Sequence, residues 1–229
     1  SAGVPESIAA ETVVVPFNDG AALEEAMARF GAQLACAIVE PMPANMGVMI
    51  PDPEWLRRLR ALTAQQGAVL IFDEVVTGFR VAYGGAQTVL RVMPDLTLLG
   101  KIIGGGLPIG AVGGARRLMQ RLAPEGDVYH AGTFAGHPLA MAAGVATLKE
   151  LARTPIYERL EAKGACLADG LRAAAAQAGV PVQINRVGSM LTLFFRDGPV
   201  RCFEEARQAD VKRFSVFANG LRDRGVLIP

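Results

Sequence analysis

Leu98-Leu99-Gly100-Lys101-Ile102-Ile103-Gly104-Gly105-Gly106 reads as the end of a buried strand: an apolar run closes on one lysine and then opens into glycine. An ammonium in such surroundings loses hydration, which favours the neutral, nucleophilic amine. Nucleophilic lysines form imines with carbonyl compounds. The alternative is a lysine whose stem packs inside while its head reaches water.

Outward from this stretch, the first two-thirds of the chain alternates strand and helix patterns, the signature of a layered α/β domain. Residues 21–30 have helical spacing, and 34–39 form a short apolar strand ending at Glu40-Pro41. Residues 53–66 read as a helix with proline in its first turn and Gly67 as its stop. A second buried strand at 68–72 delivers Asp73 and Glu74, a third at 96–99 delivers Lys101, and 109–112 reads as a fourth. An alanine-rich helix is expected at 138–151. Around Thr154 the texture changes: a long helix at 156–178, two alternating segments at 181–185 and 190–195, then a helix at 210–224. The expected division is a large domain over 1–153 and a smaller α+β domain over 154–229.

A chain of 229 residues has ample length for a core. Its composition is 51% hydrophobic, much of it alanine, with 26 glycines besides, which suits short strands tightly covered by helices. The net charge of +1 argues against nucleic acid or an anionic membrane as a partner. With a mean hydropathy of +0.30, no run approaches the about 20 apolar residues of a membrane span. The three cysteines, Cys36, Cys166 and Cys202, lack any CxxC spacing. They fit a reducing, cytoplasmic compartment and offer no zinc site. No basic region followed by an apolar core opens the chain, so no secretory signal is expected. The start at Ser1 without methionine and the stop at Leu227-Ile228-Pro229 read as a partial chain.

In open α/β sheets, ligands bind beyond the carboxyl ends of the strands. Asp73 and Lys101 both stand at such ends, on successive apolar strands, so they point to one shared site. A carboxylate is what a protonated pyridine nitrogen needs, and an amine is what an aldehyde needs. Read alone, Asp73 is more simply a strand-end cap. Strand 68–72 followed by Asp-Glu also resembles the magnesium-holding strand of a nucleoside triphosphatase, which requires GxxxxGK[ST]. Here Asp95 stands where the first glycine is required and Ile102 replaces the hydroxyl residue, so that reading is excluded.

Ile71-Phe72-Asp73-Glu74-Val75-Val76-Thr77-Gly78-Phe79-Arg80, followed by Pro94-Asp95-Leu96-Thr97 and the stretch from Leu98 to Gly106, resembles the class III pyridoxal-phosphate aminotransferases. Within that family the glutamate-1-semialdehyde aminomutase branch looks most similar. Val39-Glu40-Pro41, Asn45-Met46-Gly47, Pro108-Ile109-Gly110-Ala111-Val112-Gly113-Gly114 and Val128-Tyr129-His130-Ala131-Gly132-Thr133 support the match. The resemblance implies a fold-type I large domain with a mixed, mostly parallel sheet, plus part of a C-terminal α+β domain. It implies pyridoxal 5'-phosphate as cofactor, with Lys101 as the imine lysine and Asp73 on the pyridine nitrogen. Val75 would pack on the ring face and Asn45 near the ring oxygen. Gly132 and Thr133 would reach the cofactor phosphate of a neighbouring subunit, which implies a homodimer. Glu40 matches an acidic position near the site.

The implied activity is amino-group transfer on a small amino or aldehyde substrate: an aminomutase forming 5-aminolevulinate, or a transaminase of the same class. Ala135-Gly136-His137-Pro138 departs from the Ser-Gly-Asn-Pro usual in the aminomutases, and together with His130 it points to the transaminases. Both histidines also read as helix-start or packing residues. A third reading is a silent chain that binds cofactor only with a partner chain, because the phosphate loop, the stacking aromatic residue and a gating loop would precede Ser1, and a substrate-side glutamate would follow Pro229.

Overall fold

The computed structural model describes residues 2–153 and 155–228. Ser1, Thr154 and Pro229 lie outside them, so the change of texture read at Thr154 falls on a residue that is not described. A short helix α1 (Glu6–Ala9) and an extended stretch lead to α2 (Gly20–Phe30). The sheet-forming region contains β1 (Cys36–Val39), α3 (Pro53–Gln66), β2 (Val69–Asp73), α4 (Gly85–Leu90), β3 (Leu96–Gly100), β4 (Gly110–Gly114) and α5 (Arg116–Met119). Two longer helices follow, α6 (Pro138–Leu151) and α7 (Ile156–Gln177). The hairpin β5 (Gln183–Val187) and β6 (Met190–Phe194) leads into α8 (Phe203–Ala206) and α9 (Val211–Arg222).

The first sheet has the order β1-β2-β3-β4. β1, β2 and β3 run parallel and β4 is antiparallel to β3, so the sheet is mixed and mostly parallel, as expected. β5 and β6 form a separate antiparallel pair. The strand expected at 34–39 begins at Cys36, and it is less buried than its apolar letters imply: Ile38 is 60% exposed. β1 is an edge strand among the described residues, with β2 as its single partner.

Local chemistry sets the helix starts. The Asp19 carboxylate accepts the Ala22 amide at 2.9 Å, and Asp52 accepts the Glu54 amide at 2.8 Å ahead of Pro53. α3 then buries Trp55, Leu56, Leu59 and Leu62 at helical spacing. These pack with Leu23 and Met27 of α2 over Leu70 and Phe72 of β2. Each such side chain contributes about 1.5–3 kcal/mol on leaving water. A second cluster of Met49, Phe194 and Val200 joins the loop after β1 to β6.

Candidate functional site

Three parallel strands bring three polar residues to one edge. β1 is followed by Glu40, β2 ends at Asp73, and β3 is followed by Lys101. Val39 pairs with Phe72, and Asp73 pairs with Leu98, three residues before the lysine.

The Asp73 carboxylate accepts the Val75 amide at 3.1 Å, an Asx-type turn that orients the acid as the strand ends. The Val75 side chain crosses toward β3, where its Cγ1 lies 3.2 Å from the point a Cβ on Gly100 would occupy. A larger residue at 100 would press on Val75.

Lys101 opens a 3₁₀ turn, Lys101–Gly104, with φ of +47°. A side-chain-bearing residue in the left-handed region stores about 1–3 kcal/mol, and such residues cluster at functional sites. Lys101 is exposed, whereas its apolar flanks predict a shielded ammonium. The turn carries it beyond the strand end, out of the layer that buries Ile103 and Gly104. Neither Asp73 nor Lys101 has an ion-pair partner among the described residues. Acid and amine thus share an edge without neutralising each other.

Asn45 lies on the loop after β1, exposed, with its Nδ2 donating to Glu40 Oε1 at 3.0 Å. Glu40 Oε2 accepts the Ala44 amide at 3.2 Å, so the acid shapes the loop that presents the asparagine. Gly132 and Thr133 lie on an exposed loop before α6, and no hydrogen bond joins them to Asp73 or Lys101. His130 is exposed. His137 precedes α6 without capping it, its ring 5.7 Å from that of Phe134, which is a packing contact.

The sequence reading missed the role of Glu74. It is fully buried, while Asp73 beside it is half-buried. Glu74 accepts hydrogen bonds from Thr77, Ala86 and Gln87. The usable signal was the acidic pair itself: successive strand residues face opposite ways, so one of the two must turn inward. The excluded phosphate-loop position also has an explanation, since Asp95 binds Arg60 at 2.8 Å, Arg117 at 3.2 Å and the Leu70 amide at 2.9 Å. It is a joint between α3, β2 and β3.

An acid with a free oxygen, an apolar side chain beside it and an unpaired amine suit an aromatic aldehyde with a basic ring nitrogen. The nitrogen would meet Asp73, the ring face Val75 and the aldehyde Lys101, so the residues present fit pyridoxal phosphate. Among the described residues no group of His, Cys, Asp or Glu is placed to hold a metal ion.

Comparison with known proteins adds independent findings. The profile of the family described as Aminotransferase class-III matches residues 4–228. A glutamate-1-semialdehyde 2,1-aminomutase of Desulforudis audaxviator is 56% identical over 228 residues, covering 100% of this chain and 53% of its own. That of Desulfosudis oleivorans is 52% identical over 228 residues, with the same coverage. The chain spans about half the length of the curated relatives it matches. Among solved structures, an omega-transaminase from Sphaerobacter thermophilus superposes with a TM-score of 0.92 at 37% identity, over 100% of this chain and 53% of that one. A glutamate-1-semialdehyde-aminomutase from Pseudomonas aeruginosa in complex with PMP gives 0.86 at 29% identity, over 99% and 52%.

Proposed function

Because the chain belongs to the class-III aminotransferase family, we propose that it carries the lysine and aspartate of a pyridoxal-phosphate enzyme, most closely a glutamate-1-semialdehyde 2,1-aminomutase that forms 5-aminolevulinate for tetrapyrrole synthesis. The observation that carries the reading is the delivery of unpaired Asp73 and Lys101 to one edge by adjacent parallel strands. The names of relatives at 52% and 56% identity support the aminomutase assignment.

Bound pyridoxal phosphate supplies an aldehyde that condenses with amines and a cationic ring that withdraws electrons from the adjoining carbon. The Asp73 carboxylate would hold the proton on the ring nitrogen, a charge interaction that strengthens as water leaves a site. Lys101 Nζ would hold the group through its aldehyde. The same amine would serve as the base that takes a proton from the substrate carbon and gives it back. Val75 would support the ring face, and Asn45, held by Glu40, would lie near the ring oxygen.

Gly132 and Thr133 serve the phosphate of a second subunit in a homodimer. Large apolar residues exposed around that loop, Tyr129, Phe134 and Leu139, support such an interface. Residues 1–153 act as the cofactor-binding domain and 154–229 as a smaller one. The three cysteines are all free, which supports a reducing, cytoplasmic setting. No helix among the described residues is long and apolar enough to cross a membrane.

A transaminase acting on a different amine is the second reading, favoured by Gly136-His137-Pro138 and by the likeness to the omega-transaminase. Glutamate-1-semialdehyde given without any second amine donor separates the two, since only the aminomutase converts it fully. The site is tested by borohydride reduction of the chain with pyridoxal phosphate, followed by peptide mapping. Label on the peptide bearing Lys101 is expected, and label elsewhere refutes the assignment. Absence of any label from the purified chain would instead favour a requirement for a partner chain.

A further inference from the structure

Next to the proposed acid stands a second carboxylate, Glu74, which the chemistry above does not use. It is fully buried and forms no ion pair among the described residues. A buried carboxylate without a counter-charge is costly unless donors replace its water. Here they do: Glu74 Oε2 accepts the Thr77 hydroxyl at 2.9 Å and the Ala86 amide at 2.5 Å. Oε1 accepts the Gln87 amide at 3.1 Å and the Gln87 side-chain Nε2 at 3.0 Å.

The network reaches past its own loop. Gln87 Nε2 also donates to Thr97 Oγ1 on β3 at 3.3 Å, and the Glu74 backbone amide donates to the Leu98 carbonyl at 3.0 Å. Leu98 is the register partner of Asp73 and stands three residues before Lys101. The loop is also shaped around the acid: Gly85 has φ of +71°, and a Cβ there would run into Glu74 Oε2. The Glu74 side chain thus ties the turn after β2 to the start of α4, Gln87 carries the link on to Thr97 of β3, and the Glu74 backbone amide holds Leu98.

We infer that Glu74 is a positioning residue: it fixes the separation and angle between the Asp73 carboxylate and the Lys101 amine by locking the ends of β2 and β3. This inference deepens the cofactor reading and rests on it. Glu74 touches neither cofactor nor substrate and acts through the two strand ends. An apolar residue at 74 would close the core, but it would leave the Ala86 and Gln87 amides without acceptors and free the strand ends to shift.

The test compares the full chain with its Glu74→Gln and Gln87→Leu variants, each with pyridoxal phosphate. Glu74→Gln keeps the shape and loses one acceptor oxygen; Gln87→Leu keeps the carboxylate but removes the side-chain donor to Glu74 Oε1 and, with it, the bridge to Thr97. Three readouts are taken: the borohydride-labelled peptide, the cofactor dissociation constant with the pH midpoint of its visible band, and amide hydrogen exchange of the cofactor-free chain. Glu74→Gln is expected to keep label on Lys101, to weaken cofactor binding about tenfold and to move the pH midpoint. Exchange should quicken at residues 75 and 98–101 while α3 is unchanged. Gln87→Leu should move the same quantities less.

Lowered melting temperature with unchanged affinity, midpoint and exchange at the strand ends would make Glu74 merely structural and overturn the inference. If Glu74→Gln does not fold, Gln87→Leu decides on the same criteria. Label away from Lys101 in the unmodified chain would overturn the cofactor reading and this inference with it. Label at Lys101 with unmoved variants overturns this inference alone.

Discussion

The side-chain amide of Asn185 donates to the carbonyl of Val48, 137 residues earlier, at 2.8 Å. The same amide donates to the Val200 carbonyl at 2.7 Å, and Thr192 Oγ1 accepts the Val48 amide at 3.0 Å. Val48 belongs to the irregular loop that carries Asn45. That loop has almost no ladder partners, so side chains of the β5–β6 pair satisfy its buried backbone groups instead.

Asn185→Leu should therefore destabilise the chain by about 2–4 kcal/mol, because two buried carbonyls lose their donor. The urea midpoint measures this. A change under about 0.5 kcal/mol, the level of an ordinary surface substitution, would mean that the latch contributes nothing.

Gly47→Ala should cost more than Gly179→Ala. Both glycines have positive φ, +92° and +63°, but a Cβ on Gly47 runs into the Phe194 ring while Gly179 has open space around it. Backbone strain alone accounts for about 1 kcal/mol at either site. Any excess at position 47 reports the close approach to β6. Equal losses in paired denaturation curves would refute it.

Asp95 sets part of the acid limit of stability. Burial alone would raise its carboxyl, but the Leu70 amide, Arg60 and Arg117 outweigh burial and hold it below the ordinary carboxylate value. A depressed folded value means that the stabilisation is complete above the unfolded value and is lost as pH falls toward the folded one. Wild-type urea midpoints should drop between about pH 5 and pH 3, and Asp95→Asn should flatten that drop while lowering stability near pH 7. Parallel pH profiles for the two proteins would exclude this role.

Phe134→Asp should break the proposed homodimer, since a charge would replace a ring that is 71% exposed on the loop bearing Gly132 and Thr133. Light scattering should give the mass of a single chain for the variant and twice that for the unmodified chain. Equal masses would remove the loop from the interface.

Helices α3 and α6 were readable to the residue because proline opens both, and in α3 the apolar positions also recur at helical spacing. Helix α4 was not. Gly84-Gly85-Ala86-Gln87 carries no helical pattern, and the helix begins there because the Glu74 carboxylate, twelve residues upstream of Ala86, takes the first free amides. No local window contains that cause. β1 was overread for a related reason: apolar letters predict burial, but an edge strand with a single neighbour leaves Ile38 exposed.

Sequence by itself determined that an acid and an amine leave consecutive parallel strands at one edge, because βα units put every strand's carboxyl end on the same side. It also determined where α3 starts and stops, by Pro53 and Gly67. Only the tertiary structure decided which member of the Asp73-Glu74 pair turns inward. Neighbouring strand residues point to opposite faces, and the face that receives amides from α4 accepts the buried carboxylate. The left-handed turn that lifts Lys101 clear of the core arises in the same way, from how β3 meets β4 and the turn Lys101–Gly104, beyond what its own apolar neighbours encode.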